Sequence, residues 1–413
     1  MPRRFLRASV TTMNILVLNC GSSSAKFAVI DSADGTEHLT GIAQRLGTAE
    51  ASLDYSHNGQ KHVQKLPGAG HDQGLRAAVQ VMDDLGLRAS LAGVGHRVVH
   101  GGSKFASSMR ITPEVVAQVE ACIHLGPLHN PPNLVGIRLA EQLLPNLPQV
   151  AVFDTAFHQT MPARAYTYPV PHEWLTQYDV RRYGFHGTSH RYVTQKAQEL
   201  LGIAANEGCL VTAHLGNGCS ATAVKNGESV DTTMGLTPLE GLVMGTRSGS
   251  VDPALLGYVA RATGQTADAV LDALNKKSGL LGMSGLSNDM RTLQEAAAQG
   301  NPRAQLAIEV FCYVLAKQLA GLVVALGRLD ALVFTGGIGE NSAEIREKVL
   351  NLLGFLGLQL DPGANAQAVR GKAGRITHSL KPQALVVPTN EERMIALDTA
   401  ALVSGSFAGA QYL

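Results

Sequence analysis

The chain has no CxxC cysteine pair, no apolar run long enough to cross a bilayer and almost no net charge, and each absence removes a class of function. Its cysteines, at 20, 122, 209, 219 and 312, are scattered and odd in number. That argues against a disulfide framework or a zinc knuckle and fits a reducing, cytoplasmic setting. A formal charge of +1 supplies no steering field for nucleic acid or an acidic membrane surface, so neither is expected as a partner. The apolar stretch Leu319 to Gly327 falls well short of the roughly 20 residues of a membrane span. The phosphate-binding sequences GxxxxGK[ST] and helix-opening GxGxxG are also missing, so any bound phosphate must be held by other turns.

What is present is a globular composition, with 45% hydrophobic and 16% charged residues and no signature of disorder. At 413 residues, length alone suggests roughly two to three domains. Residues 1–12 carry three arginines and no acid, lack an apolar core or cleavage site, and are read as a disordered extension. The 44 glycines fall in clusters, which points to backbone-lined loops.

Two segments repeat one plan. ILVLNCGSSSAKFAVI, Ile15 to Ile30, reads as strand, small-residue turn, strand, and LVTAHLGNGCSATAV, Leu210 to Val224, repeats it. A third, ALVFTGGIGEN, is a buried-type strand entering a glycine turn, followed by the helical pattern SAEIREKVLNLLG. Helices are expected at 112–124, 133–144, 189–201, 252–263 and 302–326, the last broad enough in its apolar face for a core or dimer helix. Strands alternating with helices make the class α/β, and the repeated hairpin suggests two domains of common ancestry. A hinge is expected near 154–162, and the final helix is expected to return to the first domain.

The turns at Gly21, Ser22, Ser23, Ser24 and Lys26, and at His214, Gly216, Asn217 and Gly218, offer backbone N–H groups that suit an anion. Ionisable residues recur in four other loops: Arg97 in GHRVVHGG, His129 in LGPLHNPPN, Asp154 in VFDTAFHQTMP, and His186, His190 and Arg247 in RRYGFHGTSH and GLVMGTRSGSVDP. His186 and His190 stand four apart, but Gly-Thr-Ser between them and no glutamate after His186 reject a zinc-protease helix. His190, His96 and His100 are read as hydrogen-bonded supports, Arg181 and Arg182 as a solvated pair, and Cys20 as a small buried filler. Two arginines, a histidine, an aspartate and glycine turns suit phosphoryl transfer, which needs positive charge and donors more than covalent chemistry.

The motifs NCGSSSAKF, GHRVVHGG, PLHNPPN, VFDTAFHQTMP, RRYGFHGTSH, HLGNG, GTRSGSVDP, GGIGEN and PTNEE, in order over about residues 14–400, resemble the acetokinase family. The resemblance implies two duplicated actin-like, ribonuclease H-like domains with a catalytic cleft between them. The domains are expected at 13–156 plus 393–413 and at 157–392, the second binding nucleotide and forming a homodimer. It implies transfer of the ATP γ-phosphoryl group to acetate with Mg²⁺, or Mn²⁺. Asn19 and Glu391 are then the metal-site residues, partly through water. Asp154, His186, Arg247, Arg97 and His129 are catalytic, and Val99, Leu128, Phe185 and Pro238 line the methyl pocket beside Arg97. Nucleotide contacts fall to Ser22, Ser24 and Lys26, to His214, Leu215, Gly216, Asn217 and Gly218, to Asp289, Met290 and Arg291, and to Gly337, Ile338, Gly339, Glu340 and Asn341.

Three positions depart from the family pattern. Ser250 stands for a usual aspartate in the arginine loop, Met290 for an aromatic near the adenine, and Cys20 for alanine, with thiol-reagent sensitivity expected from the last. A propionate- or butyrate-preferring kinase is the nearest rival, and Val99 speaks against it. An actin-like ATPase switch would not keep Arg97, His129, His186 and Arg247, and a non-catalytic acyl-phosphate sensor would have lost Asp154 or Glu391.

Overall fold

The computed structural model describes residues 12–405, so the expected N-terminal extension lies almost wholly outside the described residues. The chain divides into two compact units, residues 1–156 with 390–413, and residues 157–389. Glu391 therefore belongs to the first unit, whereas a return at residue 393 had left it in the second.

The first unit holds β1 (Asn14–Cys20), β2 (Ser24–Asp31), β3 (Glu37–Gln44), β4 (Ser52–His57), β5 (Gln60–Lys65), α1 (His71–Asp84), β6 (Leu91–Val98), β7 (Met109–Arg110), α2 (Pro113–Ala121), α3 (Asn130–Leu143) and β8 (Gln149–Phe153). Its sheet order is β5-β4-β3-β2-β1-β6-β8-β7, with β1 antiparallel to β2 and parallel to β6. Side chains alternate across β1. Leu16 and Leu18 pack with α1 and α3 residues such as Leu75, Met82 and Ala140, while Ile15 and Val17 meet Ile395 and Ala396 of the C-terminal helix, Glu391–Val403. Both faces are covered, which is why β1 reads as a continuous apolar run rather than an alternating one.

The helix expected from residue 133 begins at Asn130, because a helix tolerates proline in its first turn, where no intrahelical N–H bond is lost. Cys20 is buried among these residues, and a Cβ placed on Gly136 of α3 would come 2.5 Å from its sulfur. Burial pushes the thiol up to about 12, so it is not the reactive group that thiol sensitivity would require.

The second unit contains α4 (Ala163–Tyr166), α5 (His172–Tyr178), α6 (Gly187–Leu201), β9 (Cys209–Leu215), β10 (Cys219–Lys225), β11 (Glu228–Thr232), α7 (Ala254–Thr263), α8 (Ala267–Lys276), α9 (Gly279–Ser284), α10 (Met290–Ala298) and α11 (Pro302–Leu326). It continues through β12 (Ala331–Thr335), α12 (Gly336–Asn341), α13 (Ala343–Leu352), α14 (Pro362–Gln367), β13 (Gly374–Arg375) and β14 (Gln383–Val386). The sheet order is β11-β10-β9-β12-β14-β13. The inner pattern is that of the first unit: an antiparallel hairpin, then two strands parallel to its first strand. Counter to the expectation from sequence, helix α11 is long and apolar enough to cross a membrane by length and composition. It buries Ile308, Phe311, Leu315 and Leu319 in this unit and packs on α9, α10 and α13, as a core helix does.

The C-terminal helix sits close to β6 at Gly95, where a Cβ would come 2.4 Å from Thr399 Oγ1 and 2.6 Å from Ile395 Cγ2. Gly95→Ala must push that helix, and Glu391 at its start, away from the sheet, at about 1–3 kcal/mol of overpacking. Lower thermal stability together with lower activity is the expected outcome; an unchanged melting temperature would contradict this packing.

Candidate active site

In the first unit the site begins at the ends of two parallel strands. Asp154 follows β8, donates its N–H to the Val98 carbonyl at 3.0 Å, and is buried. Arg97 on β6 grips it in a fork, Nε at 3.0 Å from Oδ1 and Nη2 at 2.6 Å from Oδ2. Burial works against the guanidinium charge, but Asp154 and Glu391 outweigh it and hold the Arg97 pKa up. Burial raises the Glu391 carboxyl to about 7 despite the attraction of Arg97, with Asp154 adding to the rise. Its Oε1 is buried and has no hydrogen-bond partner among the described residues.

The hairpin tip lies on the same unit. Gly21 N–H donates to the Ser24 carbonyl at 2.8 Å, and Asn19 pairs with Lys26 one rung below the turn. Ser22 and Lys26 are exposed and Ser24 is half-buried. Val99 is half-buried, Leu128 is 64% exposed, and His129 immediately precedes α3.

Two residues that sequence reasoning passed over hold these loops. Asn133 Oδ1 accepts from Val99 N–H at 3.0 Å while its amide donates to the Cys20 carbonyl at 2.8 Å, which ties the hairpin to the Arg97 loop. Asn130 exchanges hydrogen bonds with the backbone of His100 at 3.1 and 3.0 Å. The signal was available in two asparagines flanking Pro-Pro in PLHNPPN, a pattern suited to side-chain clamps on backbone.

In the second unit, His186 has a left-handed backbone at the start of α6 (φ 54°). Its ring stacks on His214 at 4.4 Å, and its Nδ1 lies 2.9 Å from Ser220 Oγ. A Cβ at Gly218 would fall 3.4 Å from His186 Nε2 and 3.6 Å from Arg247 Nη1, so both groups crowd that hairpin tip. Arg247 Nη1 donates to the Pro238 carbonyl at 3.0 Å, and no carboxylate pairs with it among the described residues. Burial lowers its pKa. Ser250, in place of an acid, closes the arginine loop by accepting from Gly241 N–H and donating its own N–H to the Gly241 carbonyl, both at 3.0 Å.

Arg181 and Arg182 are not a solvated pair. Arg181 lies 3.6 Å over the Tyr166 ring. Arg182 pairs with Glu240 at 2.7 Å and donates to the carbonyls of Thr232, Thr233 and Met234 at 3.1 to 3.2 Å. Tyr168 donates to Glu240 in turn and accepts from Leu236 N–H. Together these fix the loop that presents the Pro238 carbonyl to Arg247.

Beside the tip is a cleft of about 440 Å³ whose walls include Gly216, Asn217, Asp289, Met290, Arg291, Gly337, Ile338 and Asn341. Asp289 caps α10 by accepting from Arg291 N–H at 2.8 Å, and its bond to the Arg291 side chain draws the carboxyl down to about 2. Met290 is buried in α10 yet lines the cleft.

Not every expected side chain reaches these sites. Glu340 turns inward, its Oε1 accepting from Gly336 N–H at 2.9 Å and Thr389 N–H at 3.0 Å, so it pins the turn instead of lining the cleft. Leu215 and Phe185 are buried, and Gly339 packs against Phe334 and Ala213. For Leu215 only the backbone is available to a phosphate.

Two α/β units of matching strand order, each led by a polar hairpin tip, define the actin-like class of phosphoryl-handling folds. The Acetokinase family model matches residues 14–397. Acetate kinase from Chromobacterium violaceum is 54% identical, over 94% of this chain and 98% of that protein, and that from Deinococcus radiodurans is 55% identical, over 94% and 98%. Among solved structures, Porphyromonas gingivalis acetate kinase superposes with a TM-score of 0.90 at 44% identity, covering 95% of this chain and all of that one. A propionate kinase from Francisella tularensis gives 0.90 at 43%, covering 94% and 99%. The chain belongs to the acetokinase family.

Proposed function

We propose that this protein catalyses reversible transfer of the ATP γ-phosphoryl group to acetate, giving acetyl phosphate and ADP. The observation that carries the reading is the partly buried, acid-free Arg247 crowding Gly218 with His186, next to a cleft of nucleotide size. An acetate oxygen bonds to the γ-phosphorus as the bond to the bridging oxygen breaks, and ADP leaves with that electron pair. Acetate arrives ionised, so no general base is required. Asp154 occupies Nε and Nη2 of Arg97 and orients the guanidinium, leaving Nη1 for the acceptor carboxylate. His186 and Arg247 supply donors for the charge spread over the phosphoryl oxygens, and His129 assists.

The donors suit magnesium or manganese. No cluster of three acidic, histidine or cysteine side chains able to hold a metal exists among the described residues, but Glu391 keeps one buried oxygen unpartnered. Such ions retain several waters and take few protein oxygens, so Asn19 and Glu391 would hold the ion partly through water. Bound there, it would neutralise phosphate charge. The His214–Gly218 turn would hold the phosphates, and Met290 and Ile338 would pack against the base.

Removing a donor of this kind costs about 2.7–4 kcal/mol of barrier. Arg97→Ala and Arg247→Ala are expected to lose about a hundredfold or more in turnover while remaining folded, measured by trapping acyl phosphate with hydroxylamine. Near-wild-type rates in either variant would refute the assignment.

A propionate preference is the second reading, favoured by the Francisella propionate kinase, which is as similar as the Porphyromonas acetate kinase but less so than the acetate kinases at 54–55% identity. Val99, half-buried two residues beyond Arg97, leaves the acceptor room for little more than a methyl group, so acetate should still win. One methylene is worth roughly 1–3 kcal/mol, so propionate reacts at about 10- to 200-fold lower kcat/KM. A kcat/KM ratio favouring propionate would reverse the order.

The second unit also leaves apolar surface uncovered. No residue of α7 is buried, α8 buries only Val270, and Tyr258, Tyr313 and Val324 are 61–84% exposed. We infer that these helices form a homodimer and that the enzyme is cytoplasmic. Light scattering should give twice the chain mass, and the monomer mass at micromolar concentration would contradict the inference.

A further inference from the structure

Behind His186 runs a file of buried polar groups that the transfer reaction, as described, does not use. His186 Nδ1 lies 2.9 Å from Ser220 Oγ, which lies 2.7 Å from His190 Nε2. His190 Nδ1 in turn lies 2.7 Å from Thr212 Oγ1. Ser220, His190 and Thr212 are fully buried. Burial, reinforced by the nearby His158 and His214 imidazoles, pushes His190 well below the usual histidine range, so its ring is neutral, with one N–H and one lone pair.

A serine hydroxyl has one proton. Between two imidazole nitrogens it donates to one ring and accepts from the other, so the file has two consistent senses when His186 is neutral. In the first, Thr212 donates to His190, His190 Nε2–H donates to Ser220, and Ser220 donates to His186 Nδ1. The His186 proton is then on Nε2. In the second every bond is reversed and His186 Nε2 carries a lone pair. That nitrogen faces the Gly218 tip beside Arg247. Only the first sense presents a donor to phosphoryl oxygens there; the second would set a lone pair against them.

We infer that Ser220, backed by His190, is a positioning residue that fixes His186 as its Nε2–H tautomer and holds the ring against Gly218. The inference rests on reading His186 as a phosphoryl donor. Ring orientation is set independently by the stack on His214, whose own Nδ1 lies 2.8 Å from Ser189 Oγ, itself 2.7 Å from Thr389 Oγ1. The first turn of α6 thus supports both rings, Ser189 through His214 and His190 through Ser220.

The test uses the full chain labelled with ¹⁵N-histidine, with the His186 signals identified by their loss in His186→Asn. Long-range ¹H–¹⁵N spectra of the wild type should show a protonated Nε2 and an unprotonated Nδ1. Ser220→Ala should shift His186 toward a tautomer mixture and lower kcat by roughly ten- to a hundredfold, with the nucleotide KM within about twofold of wild type. A wild-type ring protonated on Nδ1 overturns the inference whether or not the variant folds. So does a Ser220→Ala enzyme that keeps its turnover, or one that loses turnover with the tautomer unchanged. A His186→Asn enzyme with wild-type kcat would instead remove the donor role itself, and this inference with it.

Discussion

A desolvated guanidinium with no acid beside it is unfavourable, and the second unit is built to keep one. Arg247 would gain from an aspartate or glutamate nearby, yet its Nη1 donates to the Pro238 carbonyl oxygen and the Met244 sulfur. A carboxylate would neutralise the charge that an incoming phosphate needs. Holding the side chain without quenching it falls to backbone. Arg182 and Glu240 fix the loop that carries Pro238, and Ser250 latches the other arm to Gly241. The acid of this region is spent on Arg182, at a distance from Arg247 in the network. A serine at 250 is consistent with that division, since a hydroxyl closes the loop without adding negative charge.

The first unit solves the opposite problem with the same sheet connectivity. Arg97 is paired, bidentately, and the group left wanting is Glu391, whose buried Oε1 has no hydrogen-bond partner among the described residues. A cation with no acid beside it invites phosphate, and a buried carboxyl oxygen with no hydrogen bond invites a cation. The strand ends of one unit thus carry the polarity that an anionic nucleotide needs, and those of the other the polarity that a metal needs.

Much of this scaffold was legible in the sequence. The paired hairpins announced themselves through apolar strands broken by small-residue turns, and the helices from 302 and 189 through their periodicity. What could not be read was direction. Glu340 sits in a motif that looks ligand-facing, but its carboxylate is consumed by the backbone of Gly336 and Thr389, a contact 49 residues away in sequence for the second. Arg181 and Arg182 look like a solvated pair, because nothing in the sequence places Tyr166 or Glu240 beside them. The start of α3 was read three residues late, since proline normally breaks helices and only its position in the first turn exempts it. Asn130 and Asn133 were missed because clamping residues contact backbone, which leaves no compositional trace.

The two hairpins also show how a duplicated frame diverges. One rung below the tip, the first unit pairs Asn19 with Lys26 and the second pairs His214 with Ser220. The frame therefore offers the same rung twice, and both copies carry polar side chains where an apolar pair would have packed at lower cost. In the first unit that rung reaches solvent, with Lys26 exposed. In the second, Ser220 is fully buried, where a hydroxyl is tolerated only if its hydrogen bonds are made. Two imidazoles make them. A serine kept in a buried strand by partners on α6 and just before it is explained by what those rings must do at Gly218, more simply than by any contribution to the sheet itself.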